Sequence, residues 1–245
     1  NAVLDFYRAV LSNPAKEVLS QNYGALLLQK MEVLVKSSIP EILELRQQEN
    51  ALSTEYEKLY ASARIPFDGK ILSVAQLGPY KQSTDRAVRR AAFEAEGKFF
   101  DENREKLDEI YDKLVKNRTQ QARMMGFENY IPLGYLRMER LGYGQKEVEN
   151  FRRQVAQDVV PLAAEAMQRK LKRIQVEDAK FHDLTVEFLD GNPVPHGTPE
   201  EILAAGKRMY HELSPETAGF IDMMMDNGLF DVLSRHGKAP GGYCT

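Results

Sequence analysis

The sequence predicts a mainly α fold, and three observations carry that prediction. Helical periodicity persists from Thr84 to Met125 without a proline; helix-start signals recur at Asn13-Pro14, Ser73, Thr198-Pro199 and Ser214-Pro215; and strand signals are confined to short stretches.

Taken in order, Asn13 caps a helix with Pro14 in its first turn, where a missing amide costs nothing. Helices then follow over 23–35 and 40–64. In the second, Ile42, Leu45, Leu52, Tyr56, Leu59 and Ala63 recur every three or four residues and Glu49 interrupts the stripe, as in a bundle helix rather than a coiled coil. Ile65 to Phe67 and Lys70 to Leu72 read as a hairpin, because Asp68-Gly69 readily adopts the positive φ of a primed turn. Ser73 caps a short helix to about Tyr80.

The 84–125 stretch places Val88, Ala91, Ala92, Ala95, Phe99, Leu107, Ile110, Tyr111, Leu114, Val115, Ala122 and Met125 on a stripe that needs covering neighbours. Thr84 is its expected cap, Asp85 suits its dipole and Gly126 its stop, with a bend expected at Gly97 or in the polar run 101–105. Next, 145–174 is helical with Val148, Phe151, Val155, Val159, Leu162 and Ala166 on one face, and Pro161 predicts a kink. Residues 185–189 are a candidate strand. Thr198 to Glu201 forms a capping box for a helix to Leu213, Ser214-Pro215 starts another to Asn227, and a further short helix ends near Gly237. The chain reads as one helical region, 1–245, with a possible subdivision into 1–80 and 81–245.

Composition narrows function. With 33 basic and 36 acidic residues the net charge of −3 gives no steering field for nucleic acid or an anionic membrane, and no apolar run is long enough to span a bilayer. One cysteine, Cys244, excludes an internal disulfide framework and suggests a cytoplasmic protein. The Asn117-Arg118-Thr119 sequon lies inside a predicted helix and is read as chance.

Chemistry-bearing motifs are sparse. His211-Glu212 begins an H-E-x-x-H zinc motif, but the second histidine position is Pro215, and His182, His196 and His236 are scattered. Cys244 has no neighbouring base, and Met223-Met224-Met225 reads as core filler. Between Gly126 and Gly144, arginines alternate with tyrosines: Tyr135, Arg137, Arg140 and Tyr143. Such a pattern can stack on bases or clamp a carboxylate, though capping helix ends and pairing with acids is the plainer reading.

The stretch from Arg235 through Gly241, Gly242, Tyr243 and Cys244 to Thr245 resembles the segment preceding the active site in the oligoendopeptidase F family of zinc metallopeptidases, relatives of thimet oligopeptidase. Asp85-Arg86 with Arg89 and Ala92, Arg118 with Ala122 and Gly126-Phe127, Tyr135 with Arg137, Arg140 and Tyr143, and Leu213 to Thr217 match in the same order. The resemblance implies the helical lobe of a two-lobed enzyme that cuts short peptides in a channel with a zinc-bound water. The family's zinc motif lies beyond a segment like 241–245, so no catalytic or metal residue carries over, and the 245 residues alone are expected to bind no zinc and cut no peptide. What carries over is channel wall: Gly241, Gly242, Tyr243, Tyr135, Arg137, Arg140 and Tyr143, with a strand beginning near 242–245 suited to pairing with an extended peptide. Apolar partners of Leu229, Phe230, Val232, Leu233 and Tyr243 would then lie in the catalytic segment or in another copy of the chain. The alternative is a freestanding helical protein-interaction domain with neither metal nor catalysis.

Overall fold

A computed structural model describes residues 2–239 and 241, and its fold is mainly α. The helices are α1 (Ala2–Ser12), α2 (Lys16–Tyr23), α3 (Ala25–Lys36), α4 (Leu43–Ala61), α5 (Gly78–Lys81), α6 (Arg86–Glu102), α7 (Arg104–Met124), α8 (Tyr130–Arg137), α9 (Gln145–Gln154), α10 (Val160–Arg173), α11 (Pro199–Leu213) and α12 (Pro215–Asp226). Strands β1 (Ile65–Phe67) and β2 (Lys70–Leu72) pair antiparallel with Ile65 opposite Leu72. Asp68 and Gly69 take φ of 50° and 68°, the left-handed values that join the strands in two residues.

Two compact units divide the chain, each assembled from two stretches: Asn1–Glu57 with Glu102–Gln168, and Lys58–Asp101 with Arg169–Thr245. In the first, α1, α2 and α3 pack on one another, α3 also meets α8, and α7 packs against α8 and the Pro40–Ile42 turn. Ile42, Ile110, Ala122 and Leu133 are buried there. In the second, the hairpin and the start of α6 enclose Ala63, Ile65, Leu72, Val74, Leu77 and Ala92, with Tyr60, Phe67, Tyr80, Ala95 and Phe99 packed around them. Each large side chain fully buried in such a cluster contributes about 1.5–3 kcal/mol.

Local chemistry fixes the helix ends. Asn13 Oδ1 accepts from the Ala15 amide at 2.8 Å, but α2 starts only at Lys16, so Asn13 and Pro14 form the turn before the helix rather than its cap and first turn. Ser73 Oγ accepts from Gln76 N while Gln76 Oε1 accepts from Ser73 N, a reciprocal cap. Thr198 and Glu201 form the same box at α11, and Ser214 Oγ accepts from Thr217 N at α12.

Several expectations are corrected. The long helix breaks at Asn103, in the polar run where a bend is expected, but not at Gly97, which lies within α6. Its cap is Asp85, whose Oδ1 accepts from Ala87 N at 2.8 Å, while Thr84 contributes its carbonyl to Arg89. The segment between Gly126 and Gly144 contains α8, started by Asn129 Oδ1 accepting from Ile131 N. No helix ends near Gly237; residues 229–239 are irregular after Gly228, whose φ of 64° stops α12.

No strand forms at 185–189. Side chains take the hydrogen bonds a partner strand would have taken: Asn192 Oδ1 accepts from Glu187 N, Asn192 Nδ2 donates to Thr185 O, and Arg173 Nε donates to Glu187 O. Ahead of Pro161, where a kink is expected, a π-helical turn, 155–159, separates α9 from α10, and Pro161 itself lies in the first turn of α10. The stripe expected to be buried there is not: Phe151, Val159 and Leu162 are exposed. Met223 is likewise exposed rather than core filler. The expected strand at 242–245 lies outside the described residues.

Candidate functional site

The candidate site lies in the first unit, where α8 and the loop after it carry the alternating arginines and tyrosines. The four residues turn two ways. Arg137, at the end of α8, turns inward. Its Nη1 donates to Glu49 Oε2 at 3.0 Å and to Tyr130 Oη at 3.3 Å, and its Nη2 donates to Gln121 Oε1. Arg118 Nε donates to Glu49 Oε1 at 2.6 Å, and Gln121 Nε2 donates to Glu49 Oε2 at 2.9 Å. Both guanidinium groups lie over the Tyr130 ring, 5.7 Å and 5.8 Å from its centroid.

Glu49 is therefore the centre of a polar cluster shared by α4, α7 and α8. Burial pushes its carboxyl up, but hydrogen bonds from Gln121 and Arg118 and the charges of Arg137 and Arg118 outweigh burial and hold it below the ordinary value. Asn117 belongs to the same cluster: it is buried, and its Nδ2 donates to Leu45 O at 3.0 Å, so the sequon asparagine is taken up internally. Arg137 Nε is buried without a hydrogen-bond partner.

Arg140 and Tyr143 turn outward instead. The Arg140 guanidinium lies over Tyr135, 4.7 Å from the ring centroid. Arg140, Tyr143, Glu147, Val148 and Phe151 line a depression of about 460 Å³ beside the start of α9. Glu147 closes that helix end: its Oε2 accepts the Gly144 amide at 2.8 Å, and hydrogen bonds from the Gly144 and Glu147 amides lower its pKa. Nearby, Lys30 pairs with Glu139 at 2.9 Å.

Gly241 is an exposed residue of the second unit with a φ of 105°; Gly242 and Tyr243 lie outside the described residues. His211 Nε2 is 2.9 Å from Asp222 Oδ1, which also pairs with Lys207. Among the described residues, no group of three or more His, Cys, Asp or Glu side chains is placed to hold a metal ion. No described helix is long and apolar enough to cross a membrane.

Glu49 was legible only as an interruption of an apolar stripe. The signal that could have found its role is the company of polar residues at helical spacing, Asn117, Arg118 and Gln121, on an otherwise amphipathic helix.

Residues 79–192 match the family model described as Peptidase family M3. A solved structure described as an oligoendopeptidase F is 45% identical, with a TM-score of 0.92 over 99% of this chain and 43% of its own. A Pz peptidase A with an inhibitor gives the same figures. An oligoendopeptidase F from Bacillus anthracis str. Ames is 43% identical, with a TM-score of 0.91 over 99% of this chain and 44% of its own. The chain thus spans less than half the length of the structures it resembles. No curated protein matches it.

Proposed function

The chain belongs to peptidase family M3, and on that footing we propose that it forms a non-catalytic, helical part of a zinc-dependent oligoendopeptidase that hydrolyses short peptides inside a channel. What carries the reading is whole-chain likeness to oligoendopeptidase F structures more than twice as long. On this reading residues 1–245 are one region of a larger cytoplasmic enzyme. Tyr135, Arg140, Tyr143 and Gly241 to Tyr243 belong to the channel wall, with Arg137 bracing it from behind. Zinc and its ligands lie in the rest of that fold, so no catalytic step is derived from these residues. The partners are short peptides and the catalytic segment, or a second copy of the chain. A second reading, a freestanding interaction domain, is favoured by the exposed apolar side chains Phe151, Leu162, Leu213 and Phe220.

The test is the complete reading frame that contains these residues. It is expected to continue past Thr245 to H-E-x-x-H on an amphipathic helix, and its purified product to cleave short quenched peptides, with loss on chelation and recovery on adding zinc. A frame without that motif, or a product that cuts no peptide with zinc supplied, favours the interaction domain.

A further inference from the structure

The depression beside α9 combines a held cation with an apolar wall. The Arg140 guanidinium sits over the Tyr135 ring, 4.7 Å from its centroid, a contact that leaves the N–H groups of a guanidinium free to donate in its own plane. Among the described residues Arg140 ion-pairs with no carboxylate. Glu147, which shares the depression, is turned to the backbone amides at the start of α9 and does not neutralise it. The remaining lining, Tyr143, Val148 and Phe151, is apolar and open, with Tyr143 49% and Phe151 64% exposed. A volume near 460 Å³ falls within the roughly 300–1,000 Å³ of small-ligand sites.

We propose that this depression binds the C-terminal carboxylate of a short peptide whose last side chain is apolar. Arg140 takes the carboxylate as a planar fork, and Tyr143, Val148 and Phe151 take the side chain. The geometry asks for a carboxylate beside an apolar group; the choice of a peptide terminus rests on the peptidase reading.

The 245-residue chain is titrated by calorimetry with an N-acetylated tripeptide ending in phenylalanine, as the free acid and as the amide. A third ligand is amidated and carries glutamate beside phenylalanine. The free acid is expected to bind at least about tenfold more tightly than either amide, since a charge-assisted bidentate contact is lost in them. Arg140→Gln erases that difference without changing the thermal midpoint, and Arg140→Lys, which keeps the charge but not the stacked fork, restores part of it. Equal binding of acid and amide, an unaltered Arg140→Gln, no binding of any ligand, or equal binding of the glutamate amide each overturns the proposal. The two readings fail separately. A complete protein without peptidase activity whose chain still prefers the acid sinks the function and keeps the site. An active peptidase whose KM is equal for acid and amide, in wild type and Arg140→Gln alike, sinks the site and keeps the function.

Discussion

Glu49 and Asp183 are both carboxylates gripped by two arginines, yet they hold different things together. Glu49 joins α4, α7 and α8, helices whose backbone hydrogen bonds are made within themselves. Asp183 joins α6 to the 3-10 turn Phe181–Asp183 and the loop before it. Arg86 and Arg89 both reach it, at 2.7 Å and 3.0 Å, and the Lys180 amide donates to it at 2.9 Å. The same arginines also serve backbone carbonyls: Arg86 that of Asp178, and Arg89 those of His182, Ser83 and Thr84. The Asp183 side chain is fully buried and that of Glu49 is 13% exposed. Between formed helices a carboxylate sets register; at a single 3-10 turn it ties that turn to a neighbouring helix.

That contrast breaks most readily at Asp183. Asp183→Asn leaves the buried Arg89 without its countercharge and weakens the tie to 178–183, so we expect a loss of about 3–5 kcal/mol in urea unfolding. Glu49→Gln keeps the shape and some hydrogen bonds, and Arg118 can turn to water, so about 1–3 kcal/mol is expected in the same measurement. A larger loss at Glu49 than at Asp183 would invert the comparison.

The smallest effect is in the pH dependence. Hydrogen bonds from Arg86, the Lys180 amide and Arg89 overcome burial and hold the Asp183 carboxyl well below its ordinary value of 3.8; Glu49 is held below 4.5. A folded pKa below the unfolded one contributes stability above the unfolded value and loses it as pH falls through the folded value. Acid titrations of stability should therefore show Glu49→Gln beginning to approach wild type as pH falls below 4.5 and converging as pH passes through the lowered value of folded Glu49, with Asp183→Asn converging only at lower pH. Convergence in the opposite order would show that Asp183 is the weaker clamp.

Much of the fold was legible because its signals are local. Asp68-Gly69, Ser73 with Gln76, Thr198 with Glu201, and Ser214-Pro215 each act within a few residues, and each appears at its place. What was illegible is set by residues far apart in sequence. Thr185 to Leu189 has strand composition, but Asn192 and Arg173 occupy its backbone. Asp183 is distant in sequence from Arg86 and Arg89, so neither reading of the arginines nor of the aspartate alone exposes the clamp. At the candidate site the alternation of arginine and tyrosine was visible. That Arg137 faces inward while Arg140 faces outward depends on where α8 ends, which the glycine-rich sequence concealed.

The π-helical turn at 155–159 has a consequence for phase. A π turn closes with one residue more than an α turn, and one residue is a rotation of about 100° around a helix of 3.6 residues per turn. Residues beyond Val160 are thus turned by that angle relative to those before Gln154. Val148, Phe151 and Val155 address one direction, and Leu162 and Ala166 another. A single helical wheel drawn through 145–173 superimposes two faces that are not one surface, and removing one residue from 155–159 would bring them into line. The turn behaves as a one-residue insertion retained in the helix, which lets a single rod present two separately oriented apolar edges.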